Sequence, residues 1–125
     1  MPPQSTANVQ ALRELLAAKP GATGDAGPAS GVTLFKAMGK MFAILSLRKD
    51  PYLILKSDPH LAEILREQYA GVGHRSHLDK RFWIAVDLNS DVPREEIERL
   101  VDQSYDLIVA GLTKKQRAEL SGRPS

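Results

Sequence analysis

The apolar positions of this chain follow two different periods. In three stretches they recur at the spacing of one helix face, and in four shorter stretches they alternate or run together as in β-strands. The helical stretches are residues 8–18, 57–69 and 93–111, and the extended ones are "VTLFKA", "KMFAILSL", "YLILK" and "RFWIAVDL". Strands grouped in mid-chain predict an α+β fold, in which helices pack on one face of a largely antiparallel β-sheet.

Capping and turn residues indicate where these elements begin and end. Asp58 is placed to accept hydrogen bonds from the first turn of the second helix. Gly111 ends the long third helix, and Thr113 with Gln116 forms a capping box for a short final helix. Residues 20–31 are rich in Gly, Pro and Ala, which predicts a loop or a poor edge strand.

The same patterns predict which side chains form the core. The long helix has one stripe expected to face the sheet, made of Ile97, Leu100, Val101, Ser104, Leu107 and Ile108. Trp83, on the last strand, is expected to be largely buried against this stripe. In the second strand of the hairpin, Met41, Ala43 and Leu45 are expected on one face, alternating with Lys40, Phe42 and Ile44 on the other.

Length and composition indicate one small domain covering residues 1–125, with flexible ends at residues 1–7 and 121–125. The chain contains no cysteine, which excludes disulfides and thiolate chemistry and suits the cytoplasm. Its N-terminus lacks the basic and apolar regions of a signal peptide, and no apolar run approaches the roughly 18 residues of a membrane helix. We therefore expect a cytoplasmic protein, and a monomer.

Charge is unevenly distributed along the chain, although the formal net charge is only +2. Basic residues concentrate at turns and strand ends, whereas acidic residues concentrate in the long helix. The candidates for contact with DNA phosphates are Lys36, Lys40, Arg48, Lys49, Lys56, Arg75, Lys80 and Arg81. Hairpin tips with such cations can lie along a phosphate backbone. The same residues can also serve only to keep the domain soluble and its sheet edges unpaired.

Metal binding and catalysis have little support in the residue pattern. "HRSHLDKRFW", residues 74–83, contains two of the three histidines. Zinc and iron sites usually need three or four converging ligands, so we expect no metal and no cofactor. The chain lacks both common phosphate-loop motifs, and no glycine-rich elbow surrounds Ser104. We therefore expect no enzymatic activity.

Four stretches together resemble the MmcQ/YjbR family of small bacterial proteins over about residues 20–120. They are "GKMFAILSL", "LKSDPHLAEILREQY", "HLDKRFWIAVDL" and "VPREEIERLVDQSYDLIVAGLTKKQRAEL". The resemblance implies a CyaY-like fold, the frataxin-type sandwich of helices on an antiparallel sheet. It also implies DNA binding through a double-wing arrangement of β-hairpins. It does not imply iron binding, because the first helix has only Glu14 as an acid.

The resemblance also indicates candidate site residues. The positions that match family motifs are Lys40, Lys56, Asp58, Pro59, His77, Lys80, Trp83, Ser104 and Tyr105. At two polar positions the chain departs from the motif H-M-N-K-x-H-W, since Asp79 replaces its Asn and Phe82 its second His. If the family shares a polar pocket, this member has lost part of it.

Three functions remain open from the sequence: a DNA-binding module, a small-anion or metabolite pocket, and a protein-interaction domain. Phosphate-binding cations should spread over an exposed face, whereas a pocket should bring them together. The residues expected to form such a pocket are His77, Trp83, Ser104 and Tyr105, with Lys40, Lys56 and Lys80 supplying charge.

Overall fold

The computed structural model describes residues 4–27, 31–48, 50–74 and 78–121. Four helices and six strands form an α+β fold, as predicted. In chain order they are α1 (Gln4–Ala17), β1 (Ala22–Ala26), β2 (Val32–Ala37), β3 (Lys40–Ser46), β4 (Tyr52–Lys56), α2 (Pro59–Gln68), β5 (Val72–Gly73), β6 (Trp83–Asp87), α3 (Arg94–Ala110) and α4 (Lys114–Ser121). The strands form one antiparallel sheet in the order β1-β2-β3-β4-β6-β5.

The predicted helix caps are confirmed. The Asp58 carboxylate accepts hydrogen bonds from the backbone N–H groups of His60 and Leu61, at 3.1 and 3.2 Å. Thr113 and Gln116 bond to each other's backbone N–H, both at 3.1 Å, as a capping box requires. These contacts join residues at most three positions apart, so local sequence is sufficient to specify them.

Helix α1 and strand β5 differ from the prediction. Helix α1 begins at Gln4, earlier than the apolar spacing indicated. The segment rich in Gly and Pro contributes the edge strand β1, one of the two predicted outcomes. Strand β5 was not predicted, because its two residues are too few to show a period. The expected flexible ends lie largely outside the described residues, as do Lys49, Arg75 and His77.

The sheet has two faces, which we call inner and outer. Residues paired across an antiparallel ladder share a face, and successive residues of a strand alternate between faces. The inner face includes Leu53, Leu55, Ile84 and Val86, which form one buried cluster with residues of α1, α2 and α3. The outer face includes the row Leu34, Ile44, Ile54 and Ala85. The helices therefore pack on the inner face.

Trp83 lies on the outer face, so its predicted burial against the long helix is wrong. It pairs with Lys56 and is half-buried, whereas its neighbour Ile84 is buried on the inner face. Since successive strand residues point to opposite faces, Trp83 cannot face the helices while Ile84 does. The side chains of β6 alternate as predicted, but the set that faces the core contains Ile84 and not Trp83.

A β-bulge corrects the predicted faces of the hairpin. Phe35 pairs with Ala43, but Lys36 pairs with Met41, so Phe42 is an extra residue in β3. Phe42 and Ala43 are both fully buried as a result. The Phe42 ring contacts the ring of Phe35, with centroids 6.5 Å apart, and meets the Tyr105 ring edge-on at 5.4 Å.

The apolar stripe of α3 is also rotated from the predicted one. Tyr105 is buried, whereas Leu107 is 37% exposed. These two residues lie at opposite edges of the sheet-facing side of the helix. The Tyr105 edge is covered by the turn after α1, because its hydroxyl bonds to Pro20. The Leu107 edge faces α2 across a cavity of about 290 Å³, so Leu107 remains partly in solvent.

Candidate nucleic-acid interface

Three of the predicted binding residues lie at one end of the outer face. Lys36 pairs with Met41 across β2 and β3, and Lys56 pairs with Trp83 across β4 and β6. These four residues, here called the outer-face row, combine two ammonium groups with two large apolar side chains. The Lys36 ammonium lies 3.8 Å from a carboxylate oxygen of Asp25, and its side chain is 36% exposed. The Lys36 ammonium thus has a carboxylate partner on its own face, and a phosphate would compete with Asp25 for it.

The loop that leads into Trp83 adds further cations beside the row. Lys80 and Arg81 are both exposed. Arg66, at the end of α2, donates hydrogen bonds to the carbonyls of Lys80 and Trp83, the latter at 3.0 Å. This tether positions the loop next to the row. The role of Arg66 was not predictable from the sequence, since only tertiary packing brings α2 against this loop.

Arg81 is neutralised by a local partner. Its guanidinium binds both carboxylate oxygens of Asp79, at 2.7 to 3.2 Å, and lies 5.3 Å from the Phe82 ring. These bonds lower the pKa of Asp79 to about 2, so the carboxylate is ionised throughout the physiological range. Lys80 therefore offers a freer charge to a phosphate than Arg81 does.

Two other predicted cations, Lys40 and Arg48, lie away from the outer-face row. Lys40 flanks the same hairpin turn as Lys36, but its ammonium donates to the Gly111 carbonyl at 3.2 Å. It thus neutralises the carbonyl end of α3. Arg48 is exposed in the turn after β3, at the opposite end of the sheet from Lys56. Of the other predicted contacts, Lys49 and Arg75 are not among the described residues.

Ser104 connects α3 to the sheet. Its hydroxyl donates to the Phe42 carbonyl at 2.6 Å and accepts from the Lys56 N–H at 2.9 Å. Pairing between β3 and β4 ends at Ala43 and Leu55, so the hydroxyl stands where the next rung of the ladder would form. Ser104 is fully buried. Its hydroxyl bonds to the Phe42 carbonyl and the Lys56 N–H, which the bulge prevents from bonding to each other.

Tyr105 holds the turn after α1 against α3. Its hydroxyl donates to the Pro20 carbonyl at 2.5 Å, and the Lys19 ammonium lies 5.7 Å from its ring centroid. Lys19 also forms an ion pair with Asp102, one turn earlier on α3. Burial raises the pKa of Tyr105 above its usual value. The hydroxyl is thus a neutral structural donor at physiological pH.

The predicted pocket residues do not converge among the part of the chain that the structure describes. Ser104 and Tyr105 bond within the inner layer, whereas Trp83 lies on the outer face. His77 lies outside the described ranges. The cavity between α2 and α3 is lined by other residues: Ser57, Asp58, Leu61, Gln103, Asp106 and Leu107. Two carboxylates at this cavity disfavour a small anion.

Acidic residues concentrate on the helix side of the molecule. Glu95, Asp102 and Asp106 are exposed on α3, which packs on the inner face. The acidic stretch of α3 thus lies opposite the outer sheet face, although the outer face itself carries Asp25 and Asp87. Among the described residues, no cluster of three or more His, Asp or Glu side chains could hold a metal ion. None of the described helices is long and apolar enough to span a membrane.

Comparison with known proteins places this chain among relatives of the same size and fold. The YjbR family model matches residues 17–107. The uncharacterized protein YjbR of Escherichia coli (strain K12) is 34% identical over 110 residues, which cover 87% of this chain and 93% of that protein. The crystal structure of Deinococcus radiodurans protein DR2400, domain DUF419, aligns with a TM-score of 0.82 at 32% identity, covering 90% of this chain and 87% of that one.

A more distant structure supports the fold alone. A protein from Pseudomonas syringae aligns with a TM-score of 0.67 at 24% identity, covering 79% of this chain and 97% of that chain. The sheet order and the inner helix layer are thus features of a wider group of proteins.

Proposed function

This protein belongs to the YjbR family, and on that basis we propose that it binds DNA through phosphate contacts and has no catalytic role. One observation supports this most strongly. Lys36 and Lys56 lie at the same end of the outer sheet face, beside the loop that presents Lys80, while the acidic residues of α3 lie on the opposite side. A one-sided cationic surface is what a polyanion binds.

The spacing of the cations suits a phosphate backbone. Lys36 is on β2 and Lys56 on β4, two strands apart in the sheet, which corresponds to about 10 Å between backbones. Each ammonium can therefore reach a different phosphate. The contacts need no particular base, so we expect affinity for many sequences rather than one cognate site.

The carboxylates of α3 determine which side of the protein approaches DNA. Carboxylates along α3 repel a polyanion, so the protein approaches DNA with its outer sheet face first. The alternative of a small-anion pocket has less support. Lys40 bonds to the end of α3, whereas Lys56 projects from the outer face, so these two cations do not converge on one cavity.

The test is fluorescence anisotropy with a labelled duplex, titrated from about 50 to 200 mM salt. We expect affinity to fall steeply with salt for the wild type. Lys56→Glu and Lys80→Glu should each weaken binding to all duplexes alike and reduce the salt slope by about one unit. Lys114→Glu makes the same charge change on the helix side and is the matched control.

Two outcomes would contradict the proposal. One is the absence of binding to any DNA, duplex or single-stranded, even at the lowest salt. The other is an equal loss of affinity for Lys56→Glu and Lys114→Glu, which would mean that only net charge matters.

A further inference from the structure

Trp83 is in an unusual position for the only tryptophan of a small domain. It is half-buried on the outer face and does not belong to the inner cluster that the helices cover. Lys56 is its direct cross-strand partner. The side chains of Trp83 and Lys56 are thus cross-strand neighbours on the outer face, opposite the face on which α1, α2 and α3 pack.

The outer face beside Trp83 is apolar. Leu34, Ile44, Ile54 and Ala85 form a continuous row across four strands of the outer face. Ile54 and Ala85 are buried, so this row offers a ligand only the partly accessible Leu34 and Ile44. Phe82, the residue before Trp83, is 37% exposed and has the Arg81 guanidinium 5.3 Å from its ring centroid. Two aromatic rings with adjacent cations therefore follow one another in the chain.

The hairpin tip is a weaker candidate for entering a duplex groove. Its turn residues are Met38 and Gly39, neither of which is charged. Lys40, which follows them, is bonded to the Gly111 carbonyl on the inner side. The cations with most freedom lie along the sheet face and its adjoining loop, not at the tip.

We infer that the nucleic acid recognised by this protein is single-stranded, with a base stacked on Trp83 and the lysines of the outer-face row on neighbouring phosphates. This inference rests on the proposed function. Aromatic rings on an open sheet beside cations form stacking platforms for unpaired bases. A duplex keeps the faces of its bases stacked inside the helix, so a partly exposed ring gains nothing from it by stacking.

The lone tryptophan makes the inference directly measurable. Trp83 emission is recorded while unlabelled twelve-nucleotide oligothymidylate is added, and again with a duplex of the same length at the same salt. Stacking of a base on the indole should quench its emission with the single strand only. Anisotropy with labelled forms of both oligonucleotides then gives the two affinities, and the single strand should bind more tightly.

Variants separate stacking from charge. Trp83→Leu keeps apolar bulk but removes the aromatic face, and should weaken single-strand binding between about 5-fold and about 140-fold. Trp83→Phe keeps an aromatic face and should restore most of the affinity. Leu107→Ala removes an exposed apolar side chain on the helix side and should change neither affinity. Circular dichroism and thermal melting establish that each variant is folded.

The possible results are distinct. Quenching by the single strand alone, with loss in Trp83→Leu and recovery in Trp83→Phe, supports the inference. Equal or tighter duplex binding with unchanged Trp83 emission overturns it but leaves the proposed function standing. Binding of neither oligonucleotide at low salt overturns both. If Trp83→Leu does not fold, the wild-type emission and Trp83→Phe still decide.

Discussion

Both faces of the sheet carry aromatic rings near polar groups, but the rings differ in how far they are exposed to solvent. On the inner face Phe42 is fully buried, and the hydroxyls of Ser104 and Tyr105 bond to backbone carbonyls. On the outer face Trp83 is half-buried beside Lys56. Side chains whose polar groups are satisfied inside the protein stabilise it, whereas those left partly in solvent are available to a ligand.

Mutations on the two faces are therefore expected to affect different properties, namely stability and nucleic-acid affinity. Substitutions on the inner face should lower the free energy of unfolding and leave nucleic-acid affinity unchanged in the folded fraction. Substitutions on the outer face should lower affinity with smaller effects on stability. The four predictions below test this division, from the largest expected effect to the smallest.

The largest effect is expected for the ring that the bulge turns inward. Phe42→Ala should lower the free energy of unfolding by about 3–5 kcal/mol, because it leaves a cavity between Phe35 and Tyr105. Trp83→Ala should cost about 1–2 kcal/mol, since part of its ring is already in solvent. Chemical denaturation measures both. Equal losses would place Trp83 in the core and remove the distinction between the two faces.

A smaller loss is expected for the hydroxyl that joins α3 to the sheet. Ser104→Ala should lower the free energy of unfolding by about 1–3 kcal/mol, because the Phe42 carbonyl and the Lys56 N–H lose their shared partner. Ser90→Ala, at an exposed serine, is the control and should cost less. Anisotropy should show unchanged oligonucleotide affinity for both. A selective loss of binding in folded Ser104→Ala would instead point to a ligand contact.

Tyr105→Phe should have a still smaller effect, since only the bond to Pro20 is lost and the ring stays against Phe42. We expect about 0.5–1.5 kcal/mol near neutral pH. Burial raises the folded pKa of Tyr105, so its contribution is fully present below about pH 10 and is lost as pH rises through the raised value. Denaturation from pH 8 to 11 should therefore show a steeper decline for the wild type than for Tyr105→Phe. Parallel curves would exclude this hydroxyl as the source.

The smallest effect concerns the loop beside Trp83. Asp79→Asn should free the Arg81 guanidinium for a phosphate and tighten oligonucleotide binding on the order of a few-fold at low salt. Asp91→Asn alters net charge equally at the opposite end of β6, where the carboxylate binds the N–H groups of Ala70 and Gly71. Equal gains in the two variants would show that net charge alone acts.

Local signals were sufficient for much of the fold. The predicted helix caps at Asp58 and at Thr113 with Gln116 are confirmed, and so is the change from helical to strand period. Each of these features depends on residues close in sequence. The acidic stretch predicted for the long helix is likewise exposed on α3, away from the outer sheet face. These features follow from backbone hydrogen bonding and side-chain spacing, which act over one or two turns.

Tertiary structure decided which face each side chain occupies and which polar groups meet. Both faces of the central strands are apolar, so alternation alone could not choose between Trp83 and Ile84, and one extra residue turned Phe42 inward. The partners of Ser104 lie 48 and 62 residues away along the chain. Such contacts form only when helices and sheet pack together. The sequence therefore indicated Lys36, Lys56 and Trp83 as candidate residues, but only the tertiary structure shows that they share one surface.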